Sequence, residues 1–171
     1  IAVIDSGIDI NHPDLKDKVI APYDAHAEDD DPSPNTGEFC YGGGGICDEH
    51  GTAVSGIAVA TANNNIGIVG LCPECTLVPI KMLGEESGSL SKDIASFEHS
   101  IENNAAVINN SWGYTEPIVT PEPLLNVITR ATTESRDGKG AVVVFAAGND
   151  DRELIDGELC TLQGVICVSA I

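Results

Sequence analysis

The chain has 171 residues, of which 27 are acidic and 8 basic, giving a formal net charge of −19. That length suffices for one domain with its own core, while such acidity argues against nucleic acid or an anionic membrane as partner, since both need a basic face; it suits cation binding or salty surroundings. No apolar run approaches the roughly 20 residues that cross a bilayer, and aromatic residues make up only 4%, so the core is expected to be aliphatic.

Residues 1–5 read as an apolar strand ending in a carboxylate, Asp5, before the turn Ser6-Gly7. A loop from Gly7 to Leu15 carries Asn11-His12-Pro13-Asp14. Residues 21–49 are rich in Asp, Pro and Gly and read as a long surface excursion. Asp48 to Thr61 has helical spacing, with Val54, Ile57, Ala58 and Thr61 as its apolar stripe and His50 in its first turn. Gly51 and Gly56 each cost such a helix about 1 kcal/mol, so something is expected to pack close to its backbone.

An Asn-rich loop, 61–70, leads to a strand at 77–83 in which Pro79 is an irregularity. A helix follows over 91–103, with Ile94, Phe97 and Ile101 inward and Ser91 as its cap. A strand at 105–110, a helix at 121–134 with Leu124, Ile128 and Ala131 inward, and strands at 141–147 and 165–170 complete the chain. Strands alternating with helices predict an α/β fold, a parallel sheet with helices on both faces. Residues 1–171 show no repeat or linker and read as one unit. Ligands in such sheets bind beyond the carboxyl ends of the strands.

The six cysteines fall in three local couples, and six allow 15 pairings. The expected pairing is Cys40–Cys47, Cys72–Cys75 and Cys160–Cys167. Cys72-Pro73-Glu74-Cys75 also has the form of a redox motif or half a zinc site, although no second close ligand couple stands at similar spacing. Three bonds imply an oxidising, extracytoplasmic setting.

Asp5, His50 and Asn149 each stand at the end of a buried element. An acid, an imidazole and an amide are the parts of a serine hydrolase without its nucleophile. The blocks Val3–Asp9 with Asn11–Leu15, His50–Ala58, Asn63–Leu71, Ile108–Gly113 and Val142–Asn149 resemble, in order, the signature blocks of the subtilisin-like serine proteases, the subtilases. The resemblance spans nearly the whole chain and implies the three-layer subtilisin-like fold, here truncated. It assigns Asp5 as the acid that orients the base, His50 as the general base and Asn149 as the oxyanion-hole amide. Where the family often has a second histidine after His-Gly-Thr, this chain has Ala53; that position is not catalytic in the family. Ser6, His12, His26 and His99 are read as structural or solvent-facing.

The resemblance also implies a substrate cleft. Ser111-Trp112-Gly113 would pair with an extended peptide, Ser87-Gly88-Ser89 would form the opposing edge, and Ala146-Ala147-Gly148 one wall of the pocket for the side chain before the cut bond. It further implies a calcium site at Asp14 and the 62–68 loop, with side-chain oxygens from Asp14 and Asn64 and backbone oxygens from Ala62, Ile66 and Ile68. The alternative reading of that loop is an Asn-rich turn without metal. Ser-Trp-Gly, residues 135–149 and the Asp-Asp-Pro-Ser-Pro turn are similar to the kexin-like branch, which cuts after basic residues. Glu116, with Asp156, would then offer carboxylates to a basic side chain or a second calcium; solvated surface charge is the other reading of both.

The family's nucleophile lies in a Gly-Thr-Ser-x-x-Pro block downstream of the oxyanion amide, and no Gly-Thr-Ser occurs in this sequence. The expectation is therefore the N-terminal part of a secreted, calcium-dependent endopeptidase domain, inactive alone. Its expected partners are a peptide or protein substrate, a pro-segment and the rest of the catalytic domain. The competing expectation is a protease-like domain that binds peptides or calcium without catalysis. A phosphate-binding α/β domain is disfavoured, because no glycine-rich loop with a lysine joins strand to helix.

Overall fold

The structure, a computed structural model, describes residues 1–34, 49–84 and 89–170. The Cys40–Cys47 couple, Ser87 and Gly88 lie outside the described residues. Six parallel strands form one sheet in the order β2-β3-β1-β4-β5-β6: β1 Ala2–Asp5, β2 Tyr23–Asp24, β3 Val78–Lys81, β4 Val107–Asn110, β5 Val142–Ala146 and β6 Val165–Val168. Among the described residues the helices longer than one turn that cover it are α1 Glu49–Val59, α2 Leu90–Glu102 and α3 Glu122–Thr133.

Register sorts the side chains into rows. Val78, Ala2, Ile108 and Val143 lie level on neighbouring strands, as do Ile80, Ile4, Asn110 and Phe145. The apolar members of these rows pack with Phe97 of α2 and with Leu124, Ile128 and Ala131 of α3. The alternate residues of the pleat face the other way: Val3 packs with Ile8, Leu15, Leu77 and Val59 of α1. The sheet thus carries α2 and α3 on one face and α1 on the other, as the alternating pattern predicts.

Three local expectations need correction, while Pro79 stands in the strand expected around it. The fully buried residues of α1 are Gly51, Ser55 and Val59; Val54 and Ala58 of the expected stripe pack partly buried against the core, while Ile57 is 60% exposed. The cap position of α2 is Ser89, not Ser91, which lies in the first turn and shares a 2.7 Å hydroxyl contact with Ser89. Pro79 stands in an interior strand. Val78 and Met82 donate their N–H groups to Ile1 and Asp5 of the β1 side, so by alternation the N–H that Pro79 lacks would face β2, where the ladder is short. Finally β2, two residues long, was concealed in the stretch read as a surface excursion; its Tyr23 stacks on His99, with ring centroids 4.6 Å apart.

Among the cysteines, Cys72–Cys75 and Cys160–Cys167 are bonded as the local pairing predicts. No helix among the described residues is long and apolar enough to cross a membrane.

Candidate active site

Asp5 ends β1 at the carboxyl edge of the sheet and is fully buried. His50 sits in the first turn of α1, its side chain more than half exposed. Their side chains meet: His50 Nδ1 lies 2.7 Å from Asp5 Oδ1. A carboxylate only accepts, so the imidazole donates its Nδ1–H and keeps the Nε2 lone pair free for a proton. The Ser6 N–H, 2.8 Å away, donates to the same Asp5 oxygen, while Oδ2 is buried with no partner among the described residues. The carboxylate is therefore oriented by two N–H donors.

The approach of α1 to β1 explains Gly51. A Cβ at Gly51 would lie 2.3 Å from the Gly7 carbonyl oxygen and 3.0 Å from Asp5 Cβ. A side chain there would push the helix away and separate the pair. Gly56 carries no such demand, for a Cβ there would meet only Ile68 Cδ1 at 3.8 Å.

The same edge carries the other assigned groups. Ile4, Asn110 and Phe145 share a row, and the next residues in sequence are Asp5 and Ala146, which end β1 and β5, and Ser111, which follows β4. Ser111-Trp112-Gly113 leaves β4 outside any strand, and a Cβ at Gly113 would meet nothing within 4 Å. Trp112 is buried against Phe145, edge on, with centroids 5.3 Å apart. Ala146-Ala147-Gly148 carries β5 past the edge, with Gly148 in the left-handed region at φ 92°, and Asn149 is exposed just beyond it. Of the opposing edge only Ser89 is described, and it begins α2.

Asp14 and the 62–68 loop also come together. Asp14 is almost fully buried; its Oδ1 accepts from Asn64 Nδ2 at 2.6 Å and its Oδ2 from the Ile68 N–H at 3.2 Å. Asn63, Asn65 and Gly67 alternate in the left-handed region, which curls the loop around the carboxylate. A Cβ at Gly67 would lie 2.6 Å from Asp14 Oδ2. Carboxylate, amide and backbone oxygens are the hard donors calcium prefers, so this set fits that ion in chemistry. Asn64 Oδ1 now accepts from the Ile66 N–H.

Two pairs near the cleft escaped sequence reasoning. Tyr114 donates its hydroxyl to Asp93 Oδ2 at 2.7 Å. Burial pushes the Asp93 carboxyl above the usual range and the tyrosine bond opposes this; burial and then the bond to Asp93 push Tyr114 up. Arg152 grips Glu158 with both terminal nitrogens, at 2.8 and 2.7 Å. That hydrogen-bonded guanidinium, together with the Ile155 N–H, holds the Glu158 carboxyl down at about 2. Nothing in the spacing of these residues marks them as partners; only the fold does.

The profile of the subtilase family matches residues 1–171, and the chain belongs to that family. It is 36% identical to a thermophilic serine proteinase of Bacillus sp. strain AK1, over all of this chain and 38% of that protein. It is 33% identical to thermitase of Thermoactinomyces vulgaris, over 87% of this chain and 47% of the relative. It is 31% identical to a protein named calcium-dependent protease from Trichormus variabilis, over 99% of this chain and 26% of that protein. The chain thus spans from about a quarter to just under half the length of these relatives.

Proposed function

We propose that this chain is the acid-and-base part of a subtilisin-like serine endopeptidase domain that hydrolyses peptide bonds. The observation that carries the proposal is the 2.7 Å hydrogen bond from His50 to the buried Asp5 at the carboxyl edge of the sheet. Asp5 holds the imidazole in one tautomer and stabilises the imidazolium; His50 Nε2 takes the nucleophile's proton and returns it to the leaving amine. Asn149 donates its amide to the oxyanion as the carbonyl carbon becomes tetrahedral. The nucleophilic serine comes from sequence following Ile171, in line with the partial coverage of the relatives. By itself this chain is then inactive.

The substrate is a peptide or protein lying extended along Ser111–Gly113, with Ser87–Ser89 opposite and Ala146–Gly148 beside the side chain before the cut bond. The rest of the catalytic domain supplies the serine and covers the apolar residues Ile166 and Val168, each more than half exposed on β6. A pro-segment is a further partner. Calcium, held by Asp14, Asn64 and the backbone oxygens of Ala62, Ile66 and Ile68, would supply positive charge that fastens the loop to the segment after β1. Two disulfides support action in an oxidising, extracytoplasmic compartment.

The test is covalent labelling of the full-length protein with a fluorophosphonate. The expected result is one labelled serine downstream of Ile171, with labelling slowed strongly by Asp5→Asn. A folded full-length protein that takes no label would instead favour the non-catalytic binding domain.

A further inference from the structure

The two sides of the substrate slot sit on different elements, and a hydrogen bond ties them. Ser89 is the cap residue of α2, and its carbonyl accepts from the Asp93 N–H at 3.1 Å. Asp93 is 1% exposed, and its Oδ2 accepts the Tyr114 hydroxyl at 2.7 Å. Tyr114 directly follows Gly113 on the other side of the slot. The Tyr114 ring lies edge-on to Trp112, with centroids 6.4 Å apart. Trp112 in turn meets Phe145 of β5, and Phe145 stacks on Phe97 of α2 at 6.2 Å. Asp93 and Phe97 stand one turn apart on α2, so these contacts begin and end on one stripe of the same helix. Gly113 is thus anchored through both neighbours, while a Cβ on it would meet nothing within 4 Å. Burial pushes the Asp93 carboxyl above its usual range, so an acid here is a costlier filler than an apolar side chain. What it adds is direction, because a hydrogen bond fixes a distance that apolar packing leaves soft.

We propose that the Asp93–Tyr114 bond is a tie-bar that sets the spacing between the α2 side and the Ser111–Gly113 side of the slot, making both residues positioning residues for an extended substrate. This inference rests on the proteolytic reading above. A peptide that enters as a strand needs flanking N–H and C=O groups at one spacing, since such bonds weaken steeply away from their preferred geometry. Without the tie, Tyr114 and the adjoining Gly113 move relative to α2. Substrate residues well before the cut then lose their hold. The scissile carbonyl reaches the serine less accurately, because remote contacts orient the reacting centre. A peptide too short to enter the slot makes no use of the tie.

The experiment uses the full-length protein, titrated for active serine with a fluorophosphonate. Two peptide anilides share the residue before the cut; one has two residues and the other five. The quantity read is kcat/KM for the long peptide divided by that for the short one. Tyr114→Phe keeps the ring and removes the bond, and should lower this ratio about 10-fold, mostly in kcat. Asp93→Asn keeps an acceptor oxygen for the tyrosine and should hold the ratio within about 2-fold of the wild type. The double variant Asp93→Leu, Tyr114→Phe leaves neither buried group unpaired, so it should regain stability that Tyr114→Phe loses, yet keep the low ratio. It also serves should Tyr114→Phe fail to fold. A merely structural pair would change melting temperature or the titrated fraction and leave the ratio alone. A ratio within about 2-fold of the wild type in the folded variants that lack the bond would overturn the inference while leaving the protease reading intact. Absence of both cleavage and serine labelling would overturn both.

Discussion

The two halves of the sheet differ in what covers them. On the α1 face of β1, Val3 is fully buried beside Ile8, Leu15 and Val59. In the same row Val3 lies level with Asn109, then Val144, then Ile166. At the far end Ile166 is 51% exposed, and Val142 and Val168 on the neighbouring rows are similarly bare. The chemistry follows the same division. The Asp5–His50 corner is closed by contacts within this chain, down to a glycine with no room for a methyl group. Asn149 and the pocket wall stand on the more open half. The contrast teaches that the Asp5–His50 pair is held within this chain, whereas under the proposed reading a further element would cover β5 and β6.

The largest effect that would sharpen this contrast is on catalysis. Asp5→Asn in the full-length protein leaves the geometry nearly unchanged but favours the wrong tautomer, and should lower kcat about 10⁴-fold in steady-state kinetics. Asn149→Ala should cost less, about 10² to 10³ in kcat, a magnitude taken from subtilisin itself. If Asn149→Ala cost nothing, the open half would have no part in the reaction.

Gly51→Ala is next. The added carbon overlaps the Gly7 carbonyl, and relieving it should cost about 1 to 3 kcal/mol in denaturant unfolding and separate His50 from Asp5. Activity should fall with it, while Gly56→Ala, with ordinary contact distances, should preserve both. Equal behaviour of the two glycines would break the claim that α1 is held close for the sake of the pair.

Much of this was legible beforehand. Five strands and three helices announce themselves by period, because Val3, Ile4, Ile108 and Val143 are buried from both sides and Leu124, Ile128 and Ala131 recur at helical spacing. The face of α1 was legible only in part: Val54 and Ala58 pack inward as read, and Ile57 does not. Its fully buried residues are Gly51, Ser55 and Val59, and small residues leave no apolar signal. β2 was not legible, since two residues carry no alternation. Asp5, His50 and Asp14 could be named from their motifs, but Arg152–Glu158 and Asp93–Tyr114 could not. Asp93 on α2 meets Tyr114 on the segment after β4, and Arg152 meets Glu158 six residues on in one irregular segment; neither spacing repeats a pattern that announces the pair.

Smaller effects probe the polar pairs. Tyr114→Phe removes the bond to Asp93, which is 1% exposed, and should destabilise by about 1 to 3 kcal/mol. The smallest is a pH effect at Glu158. Its folded carboxyl titrates at about 2 against an ordinary 4.5. The folded state holds that proton less tightly than the unfolded one, so the stabilisation is fully present above about pH 4.5 and fades as pH falls toward 2. Melting temperature against pH should show this loss in the wild type and lack it in the double variant Arg152→Gln, Glu158→Gln.

The most direct measurement is a crystal structure of the full-length catalytic domain after reaction with a phosphonate inhibitor. The account predicts phosphorus on a serine beyond Ile171, His50 Nε2 beside that serine oxygen, Asp5 on His50 Nδ1, and the Asn149 amide on a phosphonyl oxygen. A structure with His50 parted from Asp5, or with Asn149 turned away from the bound phosphonate, would contradict it.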